Sequence, residues 1–362
     1  MTERKRIAVV GASGVVGRAA CAHFAGLPDW EVVGLSRRPP LYGPAVPHQP
    51  LDLLDPESCR RAVAALGPVT HVAFAAVQEL PDLVAGWSSG RQSDANLAML
   101  RNLLDALAAG AGGSFRHLTL LQGTKAYGIH LGPMKLPAKE SDPRHMPPNF
   151  YFEQQDLAAE RAAREGWSWT VLRPQMIFGF ALGTPMNMLM ALGAYAAVSR
   201  ELGLPLVFTG GEDCLQEATD ARLLARAIRW AAEEPRAAGE VFNVTNGDCF
   251  AWRILWPRLA EAVGLEVGYP RPMSLARLMA DKAPVWERAV ARHGLLPIPY
   301  DQLVGNWGFA DHSLRFEGPR RDSIMSTVKA RRLGFADCID TEEMLVEQLR
   351  ELQAARILPP PG

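Results

Sequence analysis

The sequence predicts an α/β fold in which a doubly wound parallel sheet carries a smaller, mainly helical lobe. Short apolar runs alternate with helical patterns through the first half of the 362-residue chain, which is typical of right-handed βαβ crossovers. A glycine-rich turn joins the first apolar run to the first helical pattern. Such turns occur in parallel sheets that bind a dinucleotide at the carboxyl ends of their strands.

The elements follow in order from their periodicity. The predicted strands are "RIAVVGA", "WEVVGLSR", a short third strand ending in "PLDLLDP", "VTHVAFAAV", "FRHLTLLQG", "SWTVLRPQMIFG" and "EVFNVTN". The predicted helices of the sheet domain are "VVGRAACAHFAGL", "ESCRRAVAAL", "DANLAMLRNLLDALAAG" and "FEQQDLAAERAAREG". The Pro-rich helical segments that come later predict a substrate lobe. We assign residues 1–178 and 216–264 to the cofactor domain, and residues 179–215 and 265–362 to that lobe.

Composition excludes several classes of protein. Apolar residues make up 48% of the chain and its net charge is −1, which argues against a nucleic-acid or anionic-membrane surface. Five scattered cysteines predict reduced thiols in a cytoplasmic protein, and no apolar run reaches the ~18 residues of a membrane span. The dispersed histidines predict no metal site. We expect a small-molecule enzyme, for which a homodimer is one option and no heptad or edge-strand signal fixes the oligomeric state.

The stretch "VVGASGVVG" spaces Gly11, Gly14 and Gly17 as Gly-x-x-Gly-x-x-Gly between a strand and a helix. The first glycine permits a tight turn, the second lets the backbone approach a pyrophosphate, and the third allows close helix–strand packing. A chance glycine-rich turn is the alternative. The strand before and the helix after it favour nucleotide binding.

The end of the second strand indicates which dinucleotide is bound. NAD-binding sheets usually carry a carboxylate there, whereas "GLSRRPP" offers Ser36, Arg37 and Arg38. Because guanidinium groups can hold a 2′-phosphate bidentately, the sequence favours NADPH/NADP+; the alternative is a solvated basic loop. Asp52 and Leu53 end the third strand, where we expect the adenine to lie.

The stretch "YFEQQD" raises a question about catalysis. Tyr151 lies four residues before Gln155, where the usual short-chain reductase pattern Tyr-x-x-x-Lys requires a lysine. A phenol can donate a hydrogen bond to an oxygen that gains charge, and a nearby cation lowers its pKa. Neutral Gln155 cannot supply that charge, so a cation must come from elsewhere, or the tyrosine must not need one.

Lys125 in "LLQGTKAYG" is the candidate cation. It follows the fifth strand at the carboxyl edge of the sheet and is expected to point into the same cleft as Tyr151. A surface lysine is the alternative, since lysine is usually exposed. Thr124 and Tyr127 are further candidates for this cleft.

Motifs along nearly the whole chain resemble the progesterone 5β-reductase/iridoid synthase family of extended short-chain dehydrogenases/reductases. They are "GTKAYG", "NFYF", "LRPQMIFGF", "MNMLMALGAYAAVSRELGLPLVFTG", "FNVTNGDCFAWRILWPRLAE" and "KAPVWERAVARHGL". The resemblance implies a Rossmann fold and NADPH-dependent reduction of the C=C bond of enones and enals. It places the catalytic lysine at Lys125, the tyrosine at Tyr151 and the paired arginines at Arg37 and Arg38.

The resemblance also implies a wider set of site residues. The expected cofactor contacts are Gly11, Ser13, Gly14, Val15, Val16, Gly17, Ser36, Arg37, Arg38, Asp52, Leu53, Ala75, Gln122, Gly123, Tyr151, Pro174 and Ile177. The expected substrate pocket is formed by Met134, Phe152, Met186, Tyr195, Trp307 and Phe309. Core positions are the alternative, since Met and aromatic residues at helical spacing more often pack in a core than contact a ligand. The sequence departs from the family pattern at Phe152, at Met134 and in "WGFAD". These positions adjoin the expected pocket and bear on the substrate rather than on the chemistry.

Three rival functions are compatible with parts of this pattern. A carbonyl reductase or alcohol dehydrogenase would use the same cofactor on a different bond. A nucleotide-sugar epimerase or dehydratase would share the fold but normally needs the lysine that Gln155 replaces. A nucleotide sensor without turnover would need no oxyanion donor, so the presence of both Tyr151 and Lys125 argues against it.

Overall fold

The structure is a computed structural model that describes residues 5–110, 113–146, 148–318 and 320–361. The described residues leave out residues 1–4 of the predicted cofactor domain and residue 362 of the predicted substrate lobe. Its strands are β1 (Lys5–Val10), β2 (Trp30–Ser36), β3 (His48–Pro50), β4 (His71–Phe74), β5 (His117–Leu121), β6 (Ser168–Pro174), β7 (Ile177–Phe178), β8 (Leu206–Val207), β9 (Thr219–Asp220), β10 (Glu240–Val244) and β11 (Val267–Gly268).

Helices connect and cover these strands. They are α1 (Val15–Ala25), α2 (Pro56–Leu66), α3 (Leu83–Gly86), α4 (Gly90–Gly110), α5 (Phe150–Glu165), α6 (Met188–Glu201), α7 (Ala221–Glu233), α8 (Trp252–Ala262), α9 (Leu275–Leu278), α10 (Ala283–His293), α11 (Tyr300–Leu303), α12 (Trp307–Ser313), α13 (Val328–Arg332) and α14 (Thr341–Ala354). Short 3-10 helices span Thr124–Tyr127 and Pro235–Ala237.

The predicted doubly wound parallel sheet is confirmed. Within the described ranges, seven strands pair in parallel in the order β10-β6-β5-β4-β1-β2-β3. The order reverses between β1 and β4, which creates a switch point at the carboxyl ends of those strands. Ligands bind at such switch points in open α/β sheets, so the turns after β1, β4 and β5 are the segments to inspect.

The chain folds as two compact units. The first comprises residues 1–175, 221–245 and 325–337, and the second comprises residues 176–220, 246–324 and 338–362. These bounds differ from the predicted ones, because the tryptophans of α8 are buried in the core of the second unit while residues 325–337 belong with the sheet. The assignment of cofactor to one lobe and substrate to the other remains a prediction.

The first unit has its core between the sheet and α2, α4 and α5. Side chains from the central strands meet Met99, Leu100 and Leu103 of α4 and Ala158 of α5. On the other face of the sheet, α1 packs against α7. This packing fixes the strand ends on which the candidate site stands.

The second unit is built around α6, whose residues Met188–Ser199 are all buried. Trp252 and Trp256 of α8, Trp286 of α10 and the apolar face of α14 surround it. A helix that is apolar on all sides is stable in water only when it is enclosed. None of the described helices has the length and hydropathy that crossing a membrane requires.

Two predicted boundaries were wrong. Asp52 and Leu53 lie beyond β3, because the Asp52 carboxylate accepts a hydrogen bond from the Leu54 amide (3.0 Å) and turns the chain. Helix α5 starts at Phe150, two residues earlier than expected, because Asn149 caps it and accepts a hydrogen bond from the Tyr151 amide (3.0 Å). Asn is among the best N-cap residues.

Candidate active site

The turn after β1 is shaped by its glycines. Gly11 has a φ of +89°, and a Cβ on it would lie 2.7 Å from the Ala75 carbonyl oxygen. A Cβ on Gly17 would lie 2.1 Å from the Gly11 carbonyl oxygen, whereas at Gly14 the nearest atom would be 3.4 Å away. The fold therefore requires Gly11 and Gly17 but tolerates a side chain at Gly14. The bare backbone at Gly14, the N-cap of α1, fits the approach of a pyrophosphate to a helix N-terminus.

Substitution of these glycines separates folding from binding. We expect Gly17→Ala to lower both the Tm and the affinity for NADPH, because overpacking against the backbone costs about 1–3 kcal/mol. Gly14→Ala should leave the Tm near that of the wild type and weaken only the binding of NADPH. Thermal unfolding and titration of NADPH fluorescence measure the two effects. Wild-type affinity in both variants would contradict this assignment of the turn.

The segment after β2 presents two guanidinium groups to solvent. Arg37 and Arg38 are exposed, and within the described chain neither guanidinium group forms an ion pair or a hydrogen bond. The Ser36 hydroxyl donates to the Arg38 carbonyl oxygen (2.6 Å) and lies 3.0 Å from His48 Nε2. Ser36 therefore fixes the turn on which the arginines stand. An exposed arginine pair on a fixed turn fits a 2′-phosphate.

Five further predicted cofactor positions follow β1 or β3 along the chain. Val15 and Val16 are buried at the start of α1, and Ser13 is half-buried. Asp52 is exposed, while Leu53 is buried and its carbonyl oxygen accepts from Asn102 Nδ2 (2.9 Å). Ile177 lies in the second unit, where it pairs with Thr219. Their role as cofactor contacts remains a prediction.

Lys125 is held in an aromatic environment. It lies in the 3-10 turn after β5, and its side chain is 12% exposed. The Nζ atom lies 5.1 Å from the Trp87 ring centroid, 5.3 Å from that of Phe150 and 5.4 Å from that of Tyr151. Rings at these distances attract a cation. Lys125 is thus a partly enclosed ammonium beside the predicted tyrosine, not a surface lysine.

A buried carboxylate completes the surroundings of this lysine. Glu79 Oε1 lies 3.9 Å from Lys125 Nζ, and the Glu79 side chain is 3% exposed. Burial lowers the pKa of Lys125, and the Glu79 carboxylate opposes that shift. Burial likewise raises the pKa of Glu79, and the lysine opposes it. Opposite charges at this distance favour each other's ionised form.

Tyr151 stands as a hydrogen-bond donor. Burial raises the pKa of its phenol well above the usual range, Glu79 raises it further, and the Arg173 guanidinium opposes the shift. The phenol is therefore protonated throughout the neutral pH range. A Cβ built on Gly123 would lie 3.5 Å from Tyr151 Oη, so the bare backbone of Gly123 leaves room beside the hydroxyl.

Asn149 connects the two candidate catalytic residues. Its Oδ1 accepts from the Tyr151 amide, and its Nδ2 donates to the Lys125 carbonyl oxygen (3.1 Å). His145 Nε2 lies 3.0 Å from the same carbonyl oxygen. One side chain thereby fixes the start of α5 against the turn that carries Lys125.

A second network supports Tyr151 from the sheet. Gln122 Nε2 donates to the Tyr151 carbonyl oxygen (2.8 Å), and Arg173 Nε donates to Gln122 Oε1 (2.8 Å). The Arg173 guanidinium also lies 5.0 Å from the Tyr127 ring centroid. The Tyr127 hydroxyl donates a hydrogen bond to Asn243 Oδ1 (2.5 Å). This bond gives Tyr127 a structural role, so its hydroxyl is not available as a donor to a reacting group.

Comparison with known proteins identifies the family to which this chain belongs. A family profile described as "NAD dependent epimerase/dehydratase family" matches residues 7–245. An (S)-8-oxocitronellyl enol synthase from Antirrhinum majus is 31% identical over 372 residues, covering 97% of this chain and 92% of the relative. A 3-oxo-Delta(4,5)-steroid 5-beta-reductase from Arabidopsis thaliana is 33% identical over 377 residues, with the same coverage. The chain belongs to the progesterone 5β-reductase/iridoid synthase-like family.

Solved structures place this family member within the extended short-chain dehydrogenase/reductase fold. A UDP-glucose 4-epimerase from Thermotoga maritima, in a structure with UDP-glucose, aligns with a TM-score of 0.67 at 19% identity, covering 96% of this chain and 99% of the other. A Thermus thermophilus UDP-glucose 4-epimerase complexed with NAD aligns with a TM-score of 0.63 at 20% identity, covering 95% and 99%. At these identities the likeness shows the fold alone.

The predicted substrate positions of this family member differ in burial. In the first unit, Met134 is 7% exposed and packs with Ala138 and Met325, while Phe152 is 8% exposed and its ring lies 5.0 Å from that of His145. Both have the surroundings of core residues.

In the second unit, Tyr195 is also buried, and its hydroxyl donates to the Val207 carbonyl oxygen (3.1 Å). Met186 is partly exposed, and Trp307 and Phe309 are partly buried against the core. No pocket assignment follows from burial alone, and these roles stay predictions.

Sequence reasoning missed several residues around Lys125. Glu79, Trp87 and Phe150 surround the ammonium, and Asn149 fixes the backbone beside it. Glu79 and Trp87 lie more than 35 positions before Lys125, so no local spacing connects them. Asn149 could have been found, because Asn directly before an amphipathic helical pattern is a helix-start signal.

Proposed function

We propose that the chain is an NADPH-dependent ene reductase that saturates the C=C bond of α,β-unsaturated ketones and aldehydes. The observation that carries this proposal is the placement of the Lys125 ammonium against the ring of Tyr151 at the carboxyl edge of the sheet. The names of the relatives support it. One is an enol synthase, and the other is a reductase of a 3-oxo-Delta(4,5)-steroid at carbon 5, which is the β-carbon of an enone.

The cofactor would be held by the glycine turn and by the arginine pair, Arg37 and Arg38. A bound nicotinamide supplies a hydride to the substrate. The solved relatives that contain NAD support a nicotinamide cofactor of this general kind. The preference for NADPH rests on the exposed arginines and on the carboxylate-free end of β2.

The chain's own residues act on the carbonyl oxygen of the substrate. When hydride adds to the β-carbon, the C=C electron pair moves toward the carbonyl and the oxygen becomes an enolate oxygen. The Tyr151 phenol donates a hydrogen bond to it, and Lys125 adds positive charge nearby. A preorganised donor of this type is worth roughly 2.7–4 kcal/mol of barrier. Proton transfer from solvent to the α-carbon then gives the saturated carbonyl compound.

The high pKa of Tyr151 suits this role. A phenol that stays protonated at neutral pH donates a hydrogen bond without having to give up its proton. The enolate oxygen can therefore accept a hydrogen bond from Tyr151 throughout the neutral pH range, while its α-carbon takes a proton from solvent.

A product-resolved assay tests the proposed function. The protein is incubated with NADPH deuterated at C4 of the nicotinamide, and separately with NADH, on 2-cyclohexen-1-one, progesterone and citral. NMR and mass spectrometry then locate the deuterium. A saturated carbonyl product labelled at the β-carbon supports the proposal. An allylic alcohol labelled at the carbinol carbon, or no turnover despite NADPH binding, overturns it.

Asn149 offers a test of how the site is assembled. We expect Asn149→Ala to lose about 1 kcal/mol of unfolding free energy, as for other N-caps, and about tenfold in kcat/KM, because both catalytic residues lose a shared support. Asn149→Asp keeps a capping oxygen but loses the donor to Lys125, so its activity should fall while its Tm stays near that of the wild type.

The matched control is Asp55→Ala. Asp55 caps α2 by accepting from the Glu57 amide (2.9 Å), on a helix that carries no candidate catalytic residue. It should cost similar unfolding free energy and leave kcat/KM unchanged. Equal activity losses in Asn149→Ala and Asp55→Ala would show that stability alone accounts for the effect.

A further inference from the structure

Glu79 is a carboxylate in an unusual position. It follows β4 on an irregular segment, yet its side chain is almost fully buried. Gln92 Nε2 donates to its Oε2 (2.6 Å), while Oε1 has no hydrogen-bond partner in the described structure. A buried carboxylate is costly unless it is paired and hydrogen-bonded. Among the residues that the structure describes, its partner in an ion pair is Lys125.

Buried amides hold the backbone on both sides of Glu79. Asn96 accepts from the Gln78 amide (2.8 Å) and donates to the Gln78 carbonyl oxygen (2.8 Å). Gln92 Oε1 accepts from the Leu80 amide (3.2 Å). Asn96 and Gln92 are 0% and 2% exposed.

The support extends to the helix that carries the candidate tyrosine. Gln154 of α5 donates to the Asn96 carbonyl oxygen (2.8 Å). The irregular segment that carries Glu79 is therefore fixed against α4, and α4 is fixed against α5. Such a support is expected where one side chain must be held to within about 0.5 Å.

We propose that Glu79 is a positioning residue, which keeps the Lys125 side chain as an ammonium ion against the rings of Trp87, Phe150 and Tyr151. This inference rests on the proposed function, because it concerns the charge that faces the enolate. The geometry defines the role. Glu79 Oε1 lies 3.9 Å from Lys125 Nζ, and Nζ donates no hydrogen bond to any described residue. Its N–H groups are thereby left for a substrate or cofactor oxygen.

The charge of Lys125 depends on its burial. An ammonium enclosed by three rings loses hydration, and cation–π attraction returns only part of that loss. A carboxylate within about 4–6 Å favours the charged form of its partner by one to three pKa units. Without Glu79, Lys125 would face the substrate as a neutral amine over part of the working pH range.

Other charged or titratable groups surround the pair formed by Glu79 and Lys125. The phenol of Tyr151 on α5 interacts with Glu79, and Arg173 at the end of β6 interacts with that phenol. In the loop after the 3-10 turn, burial, with smaller effects from His145 and Lys125, lowers the pKa of His130 to about 4. His130 is thus neutral in the working pH range. Removal of Glu79 leaves the cations without a counter-charge, which pushes the pKa of Lys125 down.

The experiment measures Lys125 directly and needs no turnover. The chain contains only six lysines, so 13Cε-lysine NMR gives few signals, and Lys125→Met assigns the relevant one. In Glu79→Gln, we expect the pKa of Lys125 to fall by about one to three units. The basic limb of the pH profile of kcat/KM for 2-cyclohexen-1-one should move down by the same amount.

Control variants keep the result interpretable. Glu79→Asp retains the charge and should restore most of the Lys125 titration and of the pH profile. Glu57→Gln removes an exposed carboxylate that pairs with Arg60 (2.6 Å) and should change neither. If Glu79→Gln fails to fold, Glu79→Asp against the wild type still tests the prediction, since the longer Nζ–carboxylate distance should lower the Lys125 pKa measurably.

The two proposals fail in different ways. An unchanged Lys125 pKa in a folded Glu79→Gln variant overturns the role of Glu79, even if enones are reduced. A lowered Lys125 pKa together with an unshifted activity profile also overturns it, because the ammonium would then not matter to the reaction. A lowered Lys125 pKa in a protein that reduces no enone upholds the positioning but overturns the proposed function.

Discussion

Tyr151→Phe should lower kcat/KM for 2-cyclohexen-1-one about 100-fold to 1000-fold, which corresponds to the loss of one preorganised donor to a developing oxyanion. The physical reason is specific to the site. Burial and Glu79 keep the phenol protonated, so its hydrogen bond is available at every neutral pH. Phenylalanine preserves the ring against which Lys125 packs, so the substitution removes the donor while keeping the cation–π contact.

The size of the loss should depend on the substrate. An activated enal forms a more stable enolate, which solvent can partly stabilise, so Tyr151→Phe should retain more of its activity on citral than on 2-cyclohexen-1-one. Steady-state kinetics with both substrates measures the difference. Tyr269→Phe, at a side chain that is 90% exposed, is the control and should behave as the wild type. Full activity of Tyr151→Phe on every enone would remove the tyrosine from the mechanism.

The positive charge of Lys125 can be tested in the same way. Lys125→Met keeps an apolar chain of similar length among the three rings but removes the charge. We expect kcat/KM to fall with little change in Tm, while Lys135→Met, at an exposed lysine that pairs with Asp142, leaves both unchanged. Similar losses in the two variants would indicate a general effect of charge rather than a local one.

The sheet could be predicted from the sequence because its rules are local. Alternating apolar runs and amphipathic patterns predict βαβ units, and the handedness of crossovers then limits the topology. The glycine turn is equally local, since Gly11 and Gly17 are required by contacts within the turn and with the neighbouring strand end. Lys125 could be proposed because it follows a predicted strand at the carboxyl edge of the sheet, and Tyr151 because it stands where the Tyr-x-x-x-Lys pattern has its tyrosine.

The surroundings of Lys125 could not be predicted in the same way. Glu79 reaches the lysine only because Gln92 and Asn96 hold an irregular segment in place, and no sequence rule describes that arrangement. Burial also changes the interpretation of Tyr127, which looked like a second phenol in the cleft but donates to Asn243. Such tertiary hydrogen bonds decide which polar residues are available to a ligand.

The bounds of the two compact units could likewise not be predicted from the sequence. Composition indicated a Pro-rich helical lobe, but the side on which α8 belongs depends on which core its tryptophans enter, and Trp252 and Trp256 are 1% exposed in the second unit. An amphipathic pattern states that a helix has a buried face but not which core that face joins. Residues 325–337 join the sheet unit for a related reason, since Met325 bridges to Ala138.

The proposed preference for NADPH gives the second large effect. We expect Arg37→Ala/Arg38→Ala to weaken NADPH binding about 100-fold or more, because a hydrogen bond to a charged group contributes about 1.5–3 kcal/mol and two such groups are removed. Binding of NADH, which lacks the 2′-phosphate, should change little. Fluorescence titration with each cofactor measures the ratio, and the difference should shrink at high salt because exposed charges are screened.

A control variant at two other arginines tests whether Arg37 and Arg38 contact the 2′-phosphate or act through net charge. Arg60 and Arg61 lie on α2, are exposed, and pair with Glu57 and Asp55, so Arg60→Ala/Arg61→Ala removes the same charge from the same unit. That variant should keep the wild-type preference for NADPH. If it loses the preference equally, the arginines after β2 act only through the overall field of the domain. If Arg37→Ala/Arg38→Ala leaves the preference intact, the 2′-phosphate is bound by other residues. The outcome we expect, a loss confined to Arg37 and Arg38, would assign that phosphate to the turn that Ser36 fixes.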